Sequence, residues 1–134
     1  MSPTVLIADD NRIFRNLMRN SLELYAGVDS FQEAADGNEA IESARENKPD
    51  LIILDLSMPN VNGIQAARVL KSIAPEVPLV LCTMHEIGLA EAAQAGYDAV
   101  VSKADGLQAL AECVAYLLKN RTVLAPKRKA AAAS

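Results

Sequence analysis

The chain has 134 residues, of which 51% are hydrophobic and 22% charged, with a net charge of -4. That is the balance of one ordinary compact domain, able to bury roughly two-thirds of the surface its unfolded chain exposes, and it excludes disorder and fibrous repeats. No apolar run approaches the roughly 20 residues that cross a bilayer, and MSPTVLIADD has neither a basic start nor a cleavable apolar stretch, so the expected location is the cytoplasm.

TVLIA (4–8) is a short apolar run rich in β-formers and predicts a first strand. Asp9-Asp10-Asn11 then gives a helix-start signal, and Phe14, Met18, Leu22 and Tyr25 recur at helical spacing through RIFRNLMRNSLELY. SFQEAA after Gly27 predicts a second strand, and Asp36-Gly37-Asn38 turns the chain into a helix over EAIESAREN, closed by Pro49. LIILDL (51–56) is continuously apolar up to its acid, as expected of a strand covered on both faces. SMPNVNG supplies turn residues before a helix over IQAARVLKSI, and VPLVLCT (77–83) repeats the buried-strand pattern. HEIGLAEAAQAG predicts a fourth helix with His85 in its first turn, AVVS (99–102) a fifth strand, and LQALAECVAYLLKNR a last helix with Leu107, Leu110, Val114 and Leu117 as its buried stripe. Five strands alternating with five helices predict a doubly wound α/β domain, a parallel sheet with helices on both faces, over residues 1–120. Residues 121–134, ending in KRKAAAAS, fall outside the pattern as a tail, a linker stub or a frayed terminus.

Five of the thirteen basic residues (Lys119, Arg121, Lys127, Arg128, Lys129) follow the last acid, Glu112, so the body is acidic, with 17 acids against 8 bases. Such a surface discourages direct contact with nucleic acid. Cys82 and Cys113 lie in apolar segments without a second thiol or a histidine at metal-ligand spacing, and are expected as buried, reduced thiols.

In a doubly wound sheet, ligands bind beyond the carboxyl ends of the strands. Strand one ends at Asp9-Asp10, strand three at Asp55, strand four at Thr83 and strand five at Lys103, so four of the five strands deliver a polar group to one edge. Strands sit about 4.8 Å apart, which puts carboxylates on neighbouring strands within reach of one small cation. Three acids there repel one another unless a hard divalent ion joins them, and few carboxylates beside a phosphate suit Mg²⁺. Lys103 adds a point charge and Thr83 a hydroxyl, both suited to phosphoryl oxygens. Each residue alone reads more simply: an Asp pair before a helix is commonly a cap, and a lone Thr or Lys at a strand end is commonly surface. Their agreement on one edge carries the reading.

The motifs LIADDN, LIILDLSMPNVNG, LCTM and AVVSKAD resemble those of receiver (CheY-like) domains of two-component response regulators, over residues 4 to about 120. The resemblance implies a flavodoxin-like sheet of order 2-1-3-4-5, with Asp55 as phospho-acceptor. It implies that Asp10, Asp55 and the backbone carbonyl of Ser57 hold Mg²⁺ directly, with Asp9 acting mainly through metal-bound water. Lys103 would pair with the phosphoryl group and Thr83 move toward it after transfer. The expected donor is a sensor histidine kinase or a phosphotransfer protein, and the domain is a signalling device with slow self-dephosphorylation rather than an enzyme. A phosphatase with an aspartyl nucleophile is the enzyme alternative, but it typically carries a second acid where this chain has Ser57.

Two positions depart from the family pattern. Ala104 follows the site lysine where many receivers have a proline in a cis peptide, a bond that costs about 2.5 to 4 kcal/mol before a non-proline residue. Val100 stands where the family's switch aromatic lies, with Tyr97 nearby at a different place. The segment LLKNRTVLAPKRK resembles the link to a helix-turn-helix domain in the NarL/LuxR-type subgroup, which implies a transcription regulator touching DNA only through an output domain absent from this chain. A stand-alone receiver signalling by protein contacts is the alternative. The face of helix four, strand five and helix five is the output surface and homodimer interface that the resemblance implies.

Overall fold

A computed structural model of the chain describes residues 3–56, 58 and 62–133, those from 121 on by backbone alone. Its strands are β1 (Thr4–Ala8), β2 (Ser30–Ala34), β3 (Leu51–Leu54), β4 (Leu79–Thr83) and β5 (Ala99–Ser102). The helices are α1 (Arg12–Ala26), α2 (Gly37–Glu46), α3 (Gly63–Ile73), α4 (Leu89–Ala95) and α5 (Leu107–Ala133), with a short 3-10 turn over Lys103–Asp105. All pairings are parallel and the sheet order is β2-β1-β3-β4-β5, as expected.

The period-2 alternation of each strand divides the core in two. Leu6, Ile52, Leu54, Leu79 and Leu81 face α2, α3 and α4, where Ala40, Ile41, Ala66, Leu70 and Ala92 meet them. Val5, Ile7, Leu51, Ile53, Val80 and Cys82 face α1 and α5, against Met18, Leu22, Leu110 and Val114. Each large aliphatic side chain taken out of water this way stabilises the fold by about 1.5–3 kcal/mol. With both faces covered, β1, β3 and β4 have no position at which a polar residue is cheap until the strand ends. That is why their acids and hydroxyl gather at one edge.

Local chemistry sets the helix ends. Asn11 accepts from the Phe14 N–H, Asp36 from the Glu39 N–H, and Asn62 from those of Ile64 and Gln65, each side chain replacing a helical partner in the first turn. Gly27, at φ 68°, closes α1 in the left-handed region and donates to the Leu22 carbonyl.

Three expectations need correction. Tyr25 is 59% exposed, so the α1 stripe narrows to Met18 and Leu22 with the half-buried Phe14 packed against the same core. The fourth helix starts at Leu89 rather than His85, because the Thr83 hydroxyl takes the His85 N–H in a turn and Gly88 adopts an extended conformation. His85 therefore lies in a loop. The last helix continues to Ala133, past the end of the LQALAECVAYLLKNR segment expected for it, and its closing alanines are strong helix formers.

Candidate functional site

β1 pairs with β3 so that Ala8 lies opposite Leu54, and the Asp55 N–H continues the ladder to the Ala8 carbonyl at 3.0 Å. Asp9 and Asp55 thereby leave adjacent strands at the same level. Asp9 is almost wholly buried (1% exposed) and Asp55 nearly so (7%), whereas Asp10 is exposed. Asp9 Oδ1 accepts from the Asn11 N–H at 2.8 Å, and the Asp9 carbonyl accepts from the Arg15 guanidinium. The start of α1 thus fixes this carboxylate from below.

Lys103, just past β5, reaches across the edge. Its ammonium lies 2.7 Å from Asp9 Oδ2 and 3.3 Å from Asp55 Oδ2. The Phe14 ring carries the same ammonium on its face, 4.4 Å from the centroid, a cation–π contact that supports it where water is scarce. Burial works against the charge, but close contact with Asp9 and the charges of Asp9 and Asp55 outweigh it, and the amine is held above the usual lysine value. Lys103 is a fixed cation.

One cation does not neutralise three acids. Oxygens of Asp9, Asp10 and Asp55 lie within 4.8 Å of one another, and Asp55 Oδ1 is buried with no hydrogen-bond partner among the described residues. A buried carboxylate oxygen without a donor is costly, and a set of hard oxygens at this spacing fits a hard divalent cation. The three carboxylates are thus a site that could hold a metal. Ser57, whose carbonyl was expected to join them, lies outside the described residues.

Thr83 closes β4 and is 1% exposed, its Oγ1 accepting from the His85 N–H at 3.1 Å. Beside it opens a cleft of about 760 Å³ lined by Thr83, Met84, His85, Ile87, Val100 and Ala104. Val100 fills less of this space than an aromatic ring would. No peptide bond among the described residues is cis, so Lys103-Ala104 is trans and leads directly into the 3-10 turn, where Ser102 Oγ accepts from the Ala104 N–H. The edge of the sheet therefore gathers Asp9, Asp10, Asp55, Thr83 and Lys103.

Two supports were not singled out from sequence. Phe14 had the spacing of a core residue and, besides packing against the core, carries Lys103. Gly63, the first residue of α3, packs so closely against the end of β3 that a Cβ there would lie 2.6 Å from the Asp55 carbonyl oxygen and 2.8 Å from Leu56 Cα. The Asn-Gly pair before a helix was the available signal, and it was legible only as a turn.

The sequence profile of the family described as "Response regulator receiver domain" matches residues 5–115. The response regulator protein VraR of Staphylococcus aureus is 29% identical over 129 residues, which cover 95% of this chain and 62% of that protein. The chain thus spans less than two-thirds of the curated relatives it matches. Among solved structures, a two-component response regulator of the LuxR family from Aurantimonas sp. SI85-9A1 superimposes with a TM-score of 0.81 at 30% identity, covering 90% of this chain and 88% of that one. The REC domain of AraT, a response regulator from Geobacillus stearothermophilus, gives 0.79 at 32% identity, covering 90% and 95%. Among the described residues no helix is long and apolar enough to cross a membrane.

Proposed function

Because the chain belongs to the response regulator receiver family, we propose that it is a phospho-accepting switch that takes a phosphoryl group on Asp55 from a histidine kinase or a phosphotransfer protein, in the cytoplasm. The observation that carries this reading is Asp55 itself: a nearly buried carboxylate with one oxygen unpartnered among the described residues, beside a fixed ammonium and two further acids.

An Asp55 oxygen forms a bond to phosphorus while the bond from phosphorus to the donor's imidazole nitrogen breaks. The electron pair returns to the ring, which takes a proton from water, and Asp55 becomes an acyl phosphate. Asp9, Asp10, Asp55 and, by family resemblance, the Ser57 carbonyl would hold Mg²⁺, which supplies positive charge to the phosphoryl oxygens. Lys103 supplies a second charge, prepositioned by Asp9 and Phe14, so little reorganisation is needed as charge moves to those oxygens. Thr83 donates its hydroxyl to the phosphoryl group once it releases the His85 N–H, which shifts the loop before α4 and so the α4–β5–α5 face. Hydrolysis of the acyl phosphate resets the domain.

The LuxR-family relative suggests the wider setting. The chain is read as the receiver part of a transcription regulator, with DNA contacted by an output domain outside it and the α4–β5–α5 face as a homodimer interface.

Acetyl phosphate with Mg²⁺ should add one phosphoryl group to the intact protein, seen by mass, and none to Asp55→Ala. Undiminished labelling of the variant would overturn the assignment.

A further inference from the structure

Tyr97 lies between α4 and β5, straight after Gly96 ends α4. Its ring is 6% exposed, in the apolar cluster that includes Ala66, Leu70, Ala92 and Ala95. Its hydroxyl is not left idle there: it donates to the Gly63 carbonyl at 2.7 Å, a buried bond joining the approach to β5 with the first turn of α3. Gly63 in turn donates its N–H to the Leu56 carbonyl at 2.8 Å, and its bare Cα fits against the backbone of Asp55 and Leu56. A continuous path thus runs from the Tyr97 hydroxyl through Gly63 to the backbone of the acceptor, and β5 carries the same connection on to Lys103. Burial raises the Tyr97 phenol well above the usual tyrosine value and the charge of Asp55 adds to the shift, so the hydroxyl keeps its proton and donates at any working pH.

We infer that Tyr97 is a positioning residue for phosphoryl transfer: by holding the Gly63 carbonyl it fixes the Asp55–Leu56 backbone, and it registers the phosphorylation state of Asp55 on the way into β5. A ring that only filled the core would need no hydroxyl, and burying one is unfavourable unless it is bonded. The bond goes to a residue whose Cα packs against the backbone of Asp55 and Leu56 and whose N–H is held by the Leu56 carbonyl. Val100, within β5, has no hydroxyl to take that part. The inference rests on Asp55 being the phospho-acceptor.

The test uses the full chain with 3-fluorotyrosine incorporated, which reports three tyrosines, Tyr25, Tyr97 and Tyr116. Tyr25 and Tyr116 are exposed, so Tyr25→Phe and Tyr116→Phe assign the third fluorine resonance to Tyr97 by elimination. Acetyl phosphate with Mg²⁺ should shift the Tyr97 resonance in the wild type and leave it in place in Asp55→Ala. Tyr97→Phe, which keeps the ring, should take up phosphate about five- to tenfold more slowly, as expected when one buried bond in a positioning path is lost. If the wild type is phosphorylated while its Tyr97 resonance stays still, or if folded Tyr97→Phe labels at the wild-type rate, the inference is overturned and the reading of Asp55 stands. Should Tyr97→Phe fail to fold, the wild-type resonance decides alone. If the wild type takes no phosphoryl group, the reading of Asp55 falls and the inference falls with it.

Discussion

The Lys103 ammonium stands 2.7 Å from Asp9 Oδ2, a carboxylate almost sealed from solvent, and this pair rather than the longer contact to Asp55 anchors the lysine. Removing one partner of such a pair strands the other as an unpaired buried charge. Lys103→Met keeps the apolar stem but should lower unfolding free energy by about 2–4 kcal/mol in urea with chelator present. Added Mg²⁺ should restore a larger share of stability to the variant than to the wild type. An unchanged urea midpoint would show that Asp9 is well enough served by the Asn11 N–H alone.

Asp55 should behave in the opposite sense. Its Oδ1 is buried with no hydrogen-bond donor among the described residues, and two further acids stand beside it with Lys103 only at 3.3 Å, so the carboxylate costs stability where it stands. Asp55→Asn should raise the unfolding free energy by about 1 kcal/mol with chelator present and abolish phosphorylation. Calorimetry with and without Mg²⁺ checks both the gain and the weaker response to the ion.

Gly63→Ala separates packing from propensity. Alanine is favoured over glycine within a helix by about 1 kcal/mol. Yet the added Cβ meets the backbone of Asp55 and Leu56 at 2.6 and 2.8 Å, atoms that cannot swing aside. The net result should be a loss of about 2–3 kcal/mol and slower labelling by acetyl phosphate. A gain in melting temperature would refute the close approach.

Cys82 offers a pH test. Burial pushes its thiol from 9.0 up to about 12, the charge of Lys103 opposing only in part. Because the folded value exceeds the unfolded one, the neutral thiol's contribution to stability is complete below about pH 9 and is lost between there and about 12, as the unfolded chain ionises first. A thiol reagent at pH 9 should therefore modify the half-buried Cys113 and reach Cys82 only in denaturant. Equal labelling of both in the folded protein would contradict the burial.

The order of strands and helices was legible because β1, β3 and β4 are covered on both faces and tolerate only apolar residues until they end. For the same reason the acids and the threonine that end those strands could be placed on one edge, and the lysine joined them from the end of the fifth strand. Helix starts were less legible where a side chain and the backbone compete, as at Thr83 and His85, because the turn depends on a hydroxyl whose partner the periodicity does not reveal. The roles of Phe14 and Tyr97 were not legible, although both residues stood out in the sequence, because an aromatic looks alike whether it fills space, carries a cation or ties down a carbonyl. Those roles depend on which strand comes to lie beside which, and order 2-1-3-4-5 is a property of the assembled sheet.

That strand order also sets when the site comes into being. Asp9 leaves the first strand and Lys103 follows the last, with β3 and β4 standing between them in the sheet. A chain emerging from the ribosome therefore presents its clustered acids well before the residue that bridges them, and contacts so far apart in sequence form late and slowly. On the reading of Asp55 as the phospho-acceptor, competence to accept phosphate reports completed folding. A kinase meeting a half-made chain would then find the Asp55 carboxylate without its lysine, and the signal could not run ahead of the finished protein.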